Sequence, residues 1–163
     1  MKKILGLSVL ILALLSSCKK DDECKLSPPA IVAPANEIQA VKDYLTSKSI
    51  TAIQDPSGVF YVNTQEGTGA ASPTVCNTVV VKYKGTFTNG NVFDDSGSSS
   101  ISFPLEQLIV GWQIIIPKMK KGGKATLYIP PTLGYGSRDI VQNGVVIIPA
   151  NSILIFDIEL LNF

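Results

Sequence analysis

From residue 78 to residue 87 apolar and polar positions alternate with a period of two. Val79, Val81, Tyr83 and Phe87 fall on one face, Lys82 and Lys84 on the other, the pattern of a strand with one buried side. Residues 124–129 repeat it, with Ala125, Leu127 and Ile129 inward and Lys124, Thr126 and Tyr128 outward. Residues 152–160 do so again, with Leu154, Phe156, Ile158 and Leu160 on a common face. Shorter extended runs are predicted at 59–65, at 92–95 after the turn signal Asn89-Gly90, and at 101–103. From Leu105 the period changes: Leu105, Leu108, Ile109, Trp112, Ile115 and Ile116 share a helical face opposite Glu106, Gln107 and Gln113. Pro117 stops that helix, and Gly122-Gly123 makes the return. A shorter helix is predicted over 37–47, capped by Asn36, with Ile38, Val41 and Leu45 at helical spacing. Residues 132–149 read as one long loop. The sum is an α+β fold: four or five antiparallel strands in a twisted sheet wrapped around one amphipathic α-helix, with an N-terminal helical extension.

The amino terminus has a different character. Met1-Lys2-Lys3, an apolar run over 4–15 and then Ser16-Ser17-Cys18 predict a secretory signal, too short to span a bilayer as a helix. Residues 15–18 resemble the bacterial lipobox, which implies lipidation of Cys18. The next five residues, Lys19-Lys20-Asp21-Asp22-Glu23, resemble the acidic export signal of Bacteroidetes-like surface lipoproteins; a solvated spacer is the plainer reading. Pro28, Pro29 and Pro34 suit a semi-rigid linker. The expected organisation is a lipoprotein signal peptide at 1–17, a lipid-anchored flexible tether at 18–35, the helical extension at 36–56 and a compact domain at 57–163. The expected location is the cell envelope, anchored by lipid to the outer membrane on its periplasmic or surface face.

The chain has 14 basic and 13 acidic residues, with no basic stripe of the kind nucleic acid requires. It contains no histidine, which removes imidazole general-base chemistry and most zinc sites; neither a metal nor a cofactor is expected. Cys24 and Cys76 remain once Cys18 is lipidated. In an oxidising compartment they could pair, and the sequence leaves open a disulfide or two thiols.

Leu108-Ile109-Val110-Gly111-Trp112 and Leu133-Gly134-Tyr135-Gly136 set the single tryptophan and a loop tyrosine among glycines and aliphatics, with no nucleophile or strong base beside them. Such a site would work by shape and dryness. These two segments belong to an ordered series that includes Val81-Lys82-Tyr83-Lys84-Gly85, Asn89-Gly90-Asn91-Val92-Phe93-Asp94-Asp95, Phe103-Pro104-Leu105, Tyr128-Ile129-Pro130-Pro131 and Leu154-Ile155-Phe156-Asp157. Over residues 75–163 the series resembles the FKBP family of peptidyl-prolyl cis-trans isomerases, which bind tacrolimus and rapamycin.

That resemblance implies an FKBP-like isomerase domain at 57–163 and a proline pocket. Trp112 would be its floor, Tyr83, Phe93 and Phe156 its walls, and Leu108, Ile109 and Ile148 its rim. Tyr135 would donate its hydroxyl to the carbonyl before the substrate proline, and the Ile109 N–H would bind a later carbonyl. Asp94 would be the carboxylate near the twisting bond, with Phe93 and Tyr135 its catalytic companions. The implied partners are proline-containing polypeptides, with macrolides of the tacrolimus and rapamycin type as ligands.

Three segments depart from the family pattern. The loop Gly97-Ser98-Ser99-Ser100 lacks the arginine that often faces the aspartate, leaving the orientation of Asp94 open. Residues 137–146 are longer than in compact members and would overhang the pocket. In Gln113-Ile114-Ile115-Ile116 the three isoleucines cannot all face one core, which predicts packing of part of that turn on the amino-terminal segment. Three functions are consistent with the sequence. One is an isomerase assisting exported proteins to fold; another is a non-catalytic binding or chaperone module on the same fold. The third is a component of a surface machine, since the chain also resembles gliding-associated isomerase lipoproteins.

Overall fold

The computed structural model describes residues 24–163. The expected signal peptide, Cys18 and the acidic run after it lie outside the described residues. The elements are α1 (Ala35–Ser47), β1 (Ile53–Gln54), β2 (Phe60–Gln65), β3 (Thr78–Phe87), β4 (Val92–Asp95), β5 (Ile101–Pro104), α2 (Val110–Ile115), β6 (Lys124–Ile129), β7 (Ile140–Gln142), β8 (Val145–Ile148) and β9 (Leu154–Asn162).

Seven strands form one antiparallel sheet in the order β1-β2-β6-β9-β3-β4, with β5 also pairing β3. Ten-residue β3 organises it. One edge of β3 pairs with β9 along most of its length. The other edge is divided, with β5 on residues 78–81 and β4 on residues 84–86. At the gap between those partners stands Tyr83, whose backbone would be unpaired there. Buried Ser96 fills the place: its N–H donates to the Tyr83 carbonyl at 3.0 Å, and the Tyr83 N–H donates to its Oγ at 2.9 Å. Ser96 therefore completes the ladder.

The inner sheet face closes on α2 through Val79, Val81, Leu127, Ile129, Phe156, Ile158 and Leu160 against Leu105, Trp112, Ile115 and Ile116. The outer face is partly covered too. Val41 and Leu45 of α1 pack on Phe60, Tyr128 and Ile155, so Tyr128, expected to point outward, is only 6% exposed. Glu37 fastens this helix to the turn before Tyr135, its carboxylate accepting the Thr132 N–H at 2.8 Å and hydroxyl at 2.7 Å.

Several elements differ from the expected ones. Helix α1 begins at Ala35, and Asn36 does not cap it. Pro34 opens the turn with its own carbonyl, which accepts from the N–H groups of Glu37 and Ile38. The long helix expected from Leu105 is broken into a 3-10 turn at Leu105–Gln107, an extended Leu108-Ile109 pair, α2, and a second 3-10 turn at Ile116–Lys118. The loop expected over 132–149 contains the hairpin β7–β8. Its two-residue turn is Asn143-Gly144, both at positive φ (51° and 77°), the same chemistry that marks Asn89-Gly90.

The segment expected to end the tether is fastened to the domain. Cys24 and Cys76 form a disulfide with Cα atoms 5.7 Å apart, and the Ala33 N–H donates to the Ser57 carbonyl at 2.8 Å. Ile115 and Ile116 are fully buried, whereas Ile114 borders a groove with Pro28, Pro29 and Ile31. The divided isoleucine turn thus packs partly on the amino-terminal segment.

Candidate active site

Gly111 lets α2 approach the sheet: a Cβ there would lie 2.8 Å from two Ile129 side-chain carbons. That close contact seats the next residue, Trp112, at the base of a cleft of about 160 Å³ lined by Tyr83, Asp94, Phe103, Leu108, Ile109, Trp112, Tyr135 and Phe156. Trp112 is 3% exposed, and its ring meets those of Tyr83 and Phe156 nearly edge-on, at 5.4 Å and 81° and at 5.2 Å and 88°. Such T-shaped contacts suit the ring quadrupoles and hold the floor rigid. Among the described residues the buried indole N–H has no hydrogen-bond partner.

Six of the eight expected binding residues line the cleft: Tyr83, Leu108, Ile109, Trp112, Tyr135 and Phe156. Phe93 and Ile148 are not among the lining residues. Phe93 meets Phe156 nearly edge-on at 5.4 Å and stacks at a tilt on Phe87 at 4.8 Å, so it supports the Phe156 wall. Ile148, 5% exposed, pairs with Ile140 at the base of the hairpin and belongs to the core. Phe103 is a lining residue not anticipated as one. The signal was present, since Ile101, Phe103 and Leu105 recur at every second position, separated by Ser102 and Pro104; the Phe103 ring reaches that of Tyr83 at 6.1 Å.

The polar groups are few and directed. Asp94 is the one carboxylate in the lining, and its Oδ2 accepts the Tyr83 hydroxyl at 2.8 Å. The Tyr83 hydroxyl thus orients this aspartate. Burial, then the bond to Asp94, pushes the Tyr83 hydroxyl well above the ordinary tyrosine range. Burial and then the Asp94 charge raise that of Tyr135 as well. Both remain protonated donors at neutral pH. Tyr135 is 40% exposed, carried on a turn in which the Gly136 N–H donates to the Pro131 carbonyl and the Gly136 carbonyl accepts the Asn151 N–H. Among the described residues the Ile109 N–H makes no internal hydrogen bond, although the Ile109 carbonyl accepts the N–H groups of Trp112 and Gln113. The cleft therefore offers aromatic walls, a hydroxyl donor, an uncommitted backbone donor and one oriented carboxylate.

Residues 69–161 match the family model for the FKBP-type peptidyl-prolyl cis-trans isomerase. Among curated relatives, FkpA of Buchnera aphidicola subsp. Schizaphis graminum is 46% identical over 108 residues, covering 65% of this chain and 41% of that protein. FkpA of Escherichia coli K12 is 44% identical, covering 65% and 38%. The chain thus spans about two fifths of the length of these relatives. The crystal structure of Escherichia coli FkpA superposes with a TM-score of 0.67 at 38% identity, over 78% of this chain and 59% of that one. A Pseudomonas syringae peptidyl-prolyl isomerase superposes with a TM-score of 0.66 at 26% identity, over 80% and 96%. With an aromatic cleft at the point where its helix meets a divided antiparallel sheet, this chain belongs to the FKBP-type peptidyl-prolyl cis-trans isomerase family.

Proposed function

We propose that the cleft accelerates rotation about X–Pro bonds in exported polypeptides. The observation that carries this reading is the floor of Trp112, Tyr83 and Phe156 with only Tyr135, Ile109 and Asp94 presenting directed polar groups to it. An X–Pro bond turns over a barrier of about 18–20 kcal/mol, taking tens to hundreds of seconds unaided. No covalent bond breaks, so no nucleophile is needed. At the twisted midpoint the amide loses resonance and much of its polarity. A water-poor aromatic cradle disfavours the planar polar ground state more than that midpoint, and only this difference accelerates the reaction.

Trp112 supports the prolyl ring. The Tyr135 hydroxyl donates to the carbonyl before the proline and the Ile109 N–H to a later one, so the two bonds hold the flanks while the central bond turns. Asp94, held by Tyr83, stands beside that bond, and Phe93 braces Phe156. Each tenfold acceleration needs about 1.4 kcal/mol, within reach of one or two oriented hydrogen bonds and a desolvated ring. Tacrolimus and rapamycin occupy the same cleft in this reading, quenching Trp112 fluorescence. The decisive experiment follows cis-trans exchange in an Ala-Leu-Pro-Phe peptide by nuclear magnetic resonance. Exchange at the uncatalysed rate with saturating protein rejects the proposal.

Localisation rests on the sequence. Cys18 anchors the mature chain in the outer membrane of the envelope, and residues 19–23 separate it from the Cys24–Cys76 disulfide. A Cys18→Ser chain that still sediments with membranes overturns the lipid anchor. One observation favours a holding role beside catalysis: Val141, Val145, Val146 and Ile147 are 56%, 63%, 46% and 37% exposed on the β7–β8 hairpin, which leaves and rejoins the domain beside Tyr135. Suppression of aggregation of an unfolded, proline-free protein tests it. A surface-machine role in gliding is the remaining reading, tested by motility of a strain lacking the gene.

A further inference from the structure

Residues 105–116 carry the apolar period of one continuous helix, yet the chain is extended at Leu108 (φ −87°, ψ 170°) and Ile109 (φ −58°, ψ 149°). In an unbroken helix the Trp112 N–H would bond the Leu108 carbonyl, and the Ile109 N–H would bond the Leu105 carbonyl. Instead Trp112 donates to Ile109, Leu108 donates to Leu105, and among the described residues the Ile109 N–H is left without an internal partner. Breaking a helix here strands carbonyls in a half-buried rim, at a cost unless another donor reaches them. Gln113 supplies that donor. Its side-chain Nε2 reaches back to donate to the Leu108 carbonyl at 2.6 Å and to the Glu106 carbonyl at 3.1 Å.

We infer that Gln113 is a positioning residue for substrate binding. By taking the carbonyls that a continuous helix would use, its carboxamide keeps residues 108–109 extended, and so keeps the Ile109 N–H free to donate into the cleft. Gln113 is absent from the cleft lining and acts only through the backbone it holds. The kinetic consequence rests on the isomerase reading; the structural consequence does not.

What matters chemically is donation to two carbonyls. Glutamate at this position has the same length and, ionised, no donor; leucine has neither charge nor donor; lysine keeps N–H donors on a longer stem. Gln113→Glu and Gln113→Leu are expected to raise KM for a prolyl peptide about fivefold or more with kcat within about twofold, while Gln113→Lys stays within about twofold of the parent. A merely structural residue would lower the unfolding temperature without separating KM from kcat, or would treat lysine like leucine. Parent-like KM values in both donorless variants overturn the inference, as does a lysine variant as impaired as the leucine one. The second arm is independent of turnover. In 15N-labelled protein the Ile109 amide of Gln113→Leu is expected to shift and gain protection from hydrogen exchange as it turns toward the Leu105 carbonyl. An unchanged Ile109 amide overturns the inference even if the protein proves catalytically silent.

Discussion

Tyr83 donates its hydroxyl to Asp94 Oδ2 at 2.8 Å while its ring edge packs on Trp112 at 5.4 Å, so one residue holds both the floor and the acid of the cleft. Removing the hydroxyl alone separates these duties. Tyr83→Phe keeps the ring and releases Asp94, and kcat/KM for a prolyl peptide is expected to fall about fivefold, or about 1 kcal/mol. If the two residues act as one unit, Tyr83→Phe combined with Asp94→Ala loses no more than the larger single loss. Full additivity would show that Asp94 works without its partner.

The hydroxyls of Tyr83, Tyr128 and Tyr135 are all raised, burial being the largest cause in each. Below the unfolded tyrosine value of about 10 both states keep these protons, so the shifts leave stability unchanged. Above it the unfolded chain loses protons that the folded one retains, and stability falls. The urea midpoint is therefore expected to be flat from pH 7 to pH 9 and to drop by pH 11. The drop should be shallower in Tyr83→Phe.

Gly85 faces the back of the aromatic wall. A Cβ there would lie 2.6 Å from Phe93 Cζ and 2.9 Å from Phe156 Cε1, closer than carbon atoms tolerate. Gly85→Ala is expected to destabilise the protein by about 1–3 kcal/mol and to displace Phe156 toward the cleft. Loss of macrolide-induced Trp112 quenching, alongside a lowered denaturation midpoint, is the measurement.

Reducing Cys24–Cys76, or substituting Cys76→Ser, frees a segment otherwise tied across 52 residues. The expected cost is about 2–4 kcal/mol, read as a lower urea midpoint in dithiothreitol. Peptide turnover at 25 °C is expected to stay near the parent value, since the cleft residues lie elsewhere in the fold.

Asp55 is 5% exposed and paired with Lys118. Burial alone would raise its carboxyl, but the Lys118 ammonium and the Ser57 N–H outweigh burial and hold it below the usual range. Its contribution to stability is present above the unfolded aspartate value of about 3.9 and is lost as pH falls beneath it. Asp55→Asn should therefore be less stable than the parent at pH 6, and the gap should narrow by pH 3. An equal gap at both pH values would assign the loss to packing rather than to charge.

Most of the sheet was legible because one buried face imposes a period of two: residues 78–87, 124–129 and 152–160 appear as β3, β6 and β9 nearly as expected. Six lining residues were named through the resemblance of ordered motifs to the FKBP family, whereas local periodicity placed Leu108 and Ile109 in a helix that the chain does not form there. The β7–β8 hairpin was missed, since residues 132–149 read as one loop and the lack of strict alternation on either side of Asn143-Gly144 concealed it.

The sequence by itself determined the apolar faces, the turns and the absence of histidine, because these follow from residue type and local spacing. Only the tertiary structure decided which partner each polar group would meet. Ser96 completes the ladder at Tyr83, the Tyr83 hydroxyl orients Asp94, and the Gln113 carboxamide reaches back to the Leu108 carbonyl where the apolar period runs on unbroken. The same holds for Tyr128, whose outward position is covered by α1. The physical reason is common to the three hydrogen-bonded cases. Hydrophobic burial is non-directional and writes itself into a periodic pattern, whereas a hydrogen bond depends on distance and angle between atoms far apart in the chain.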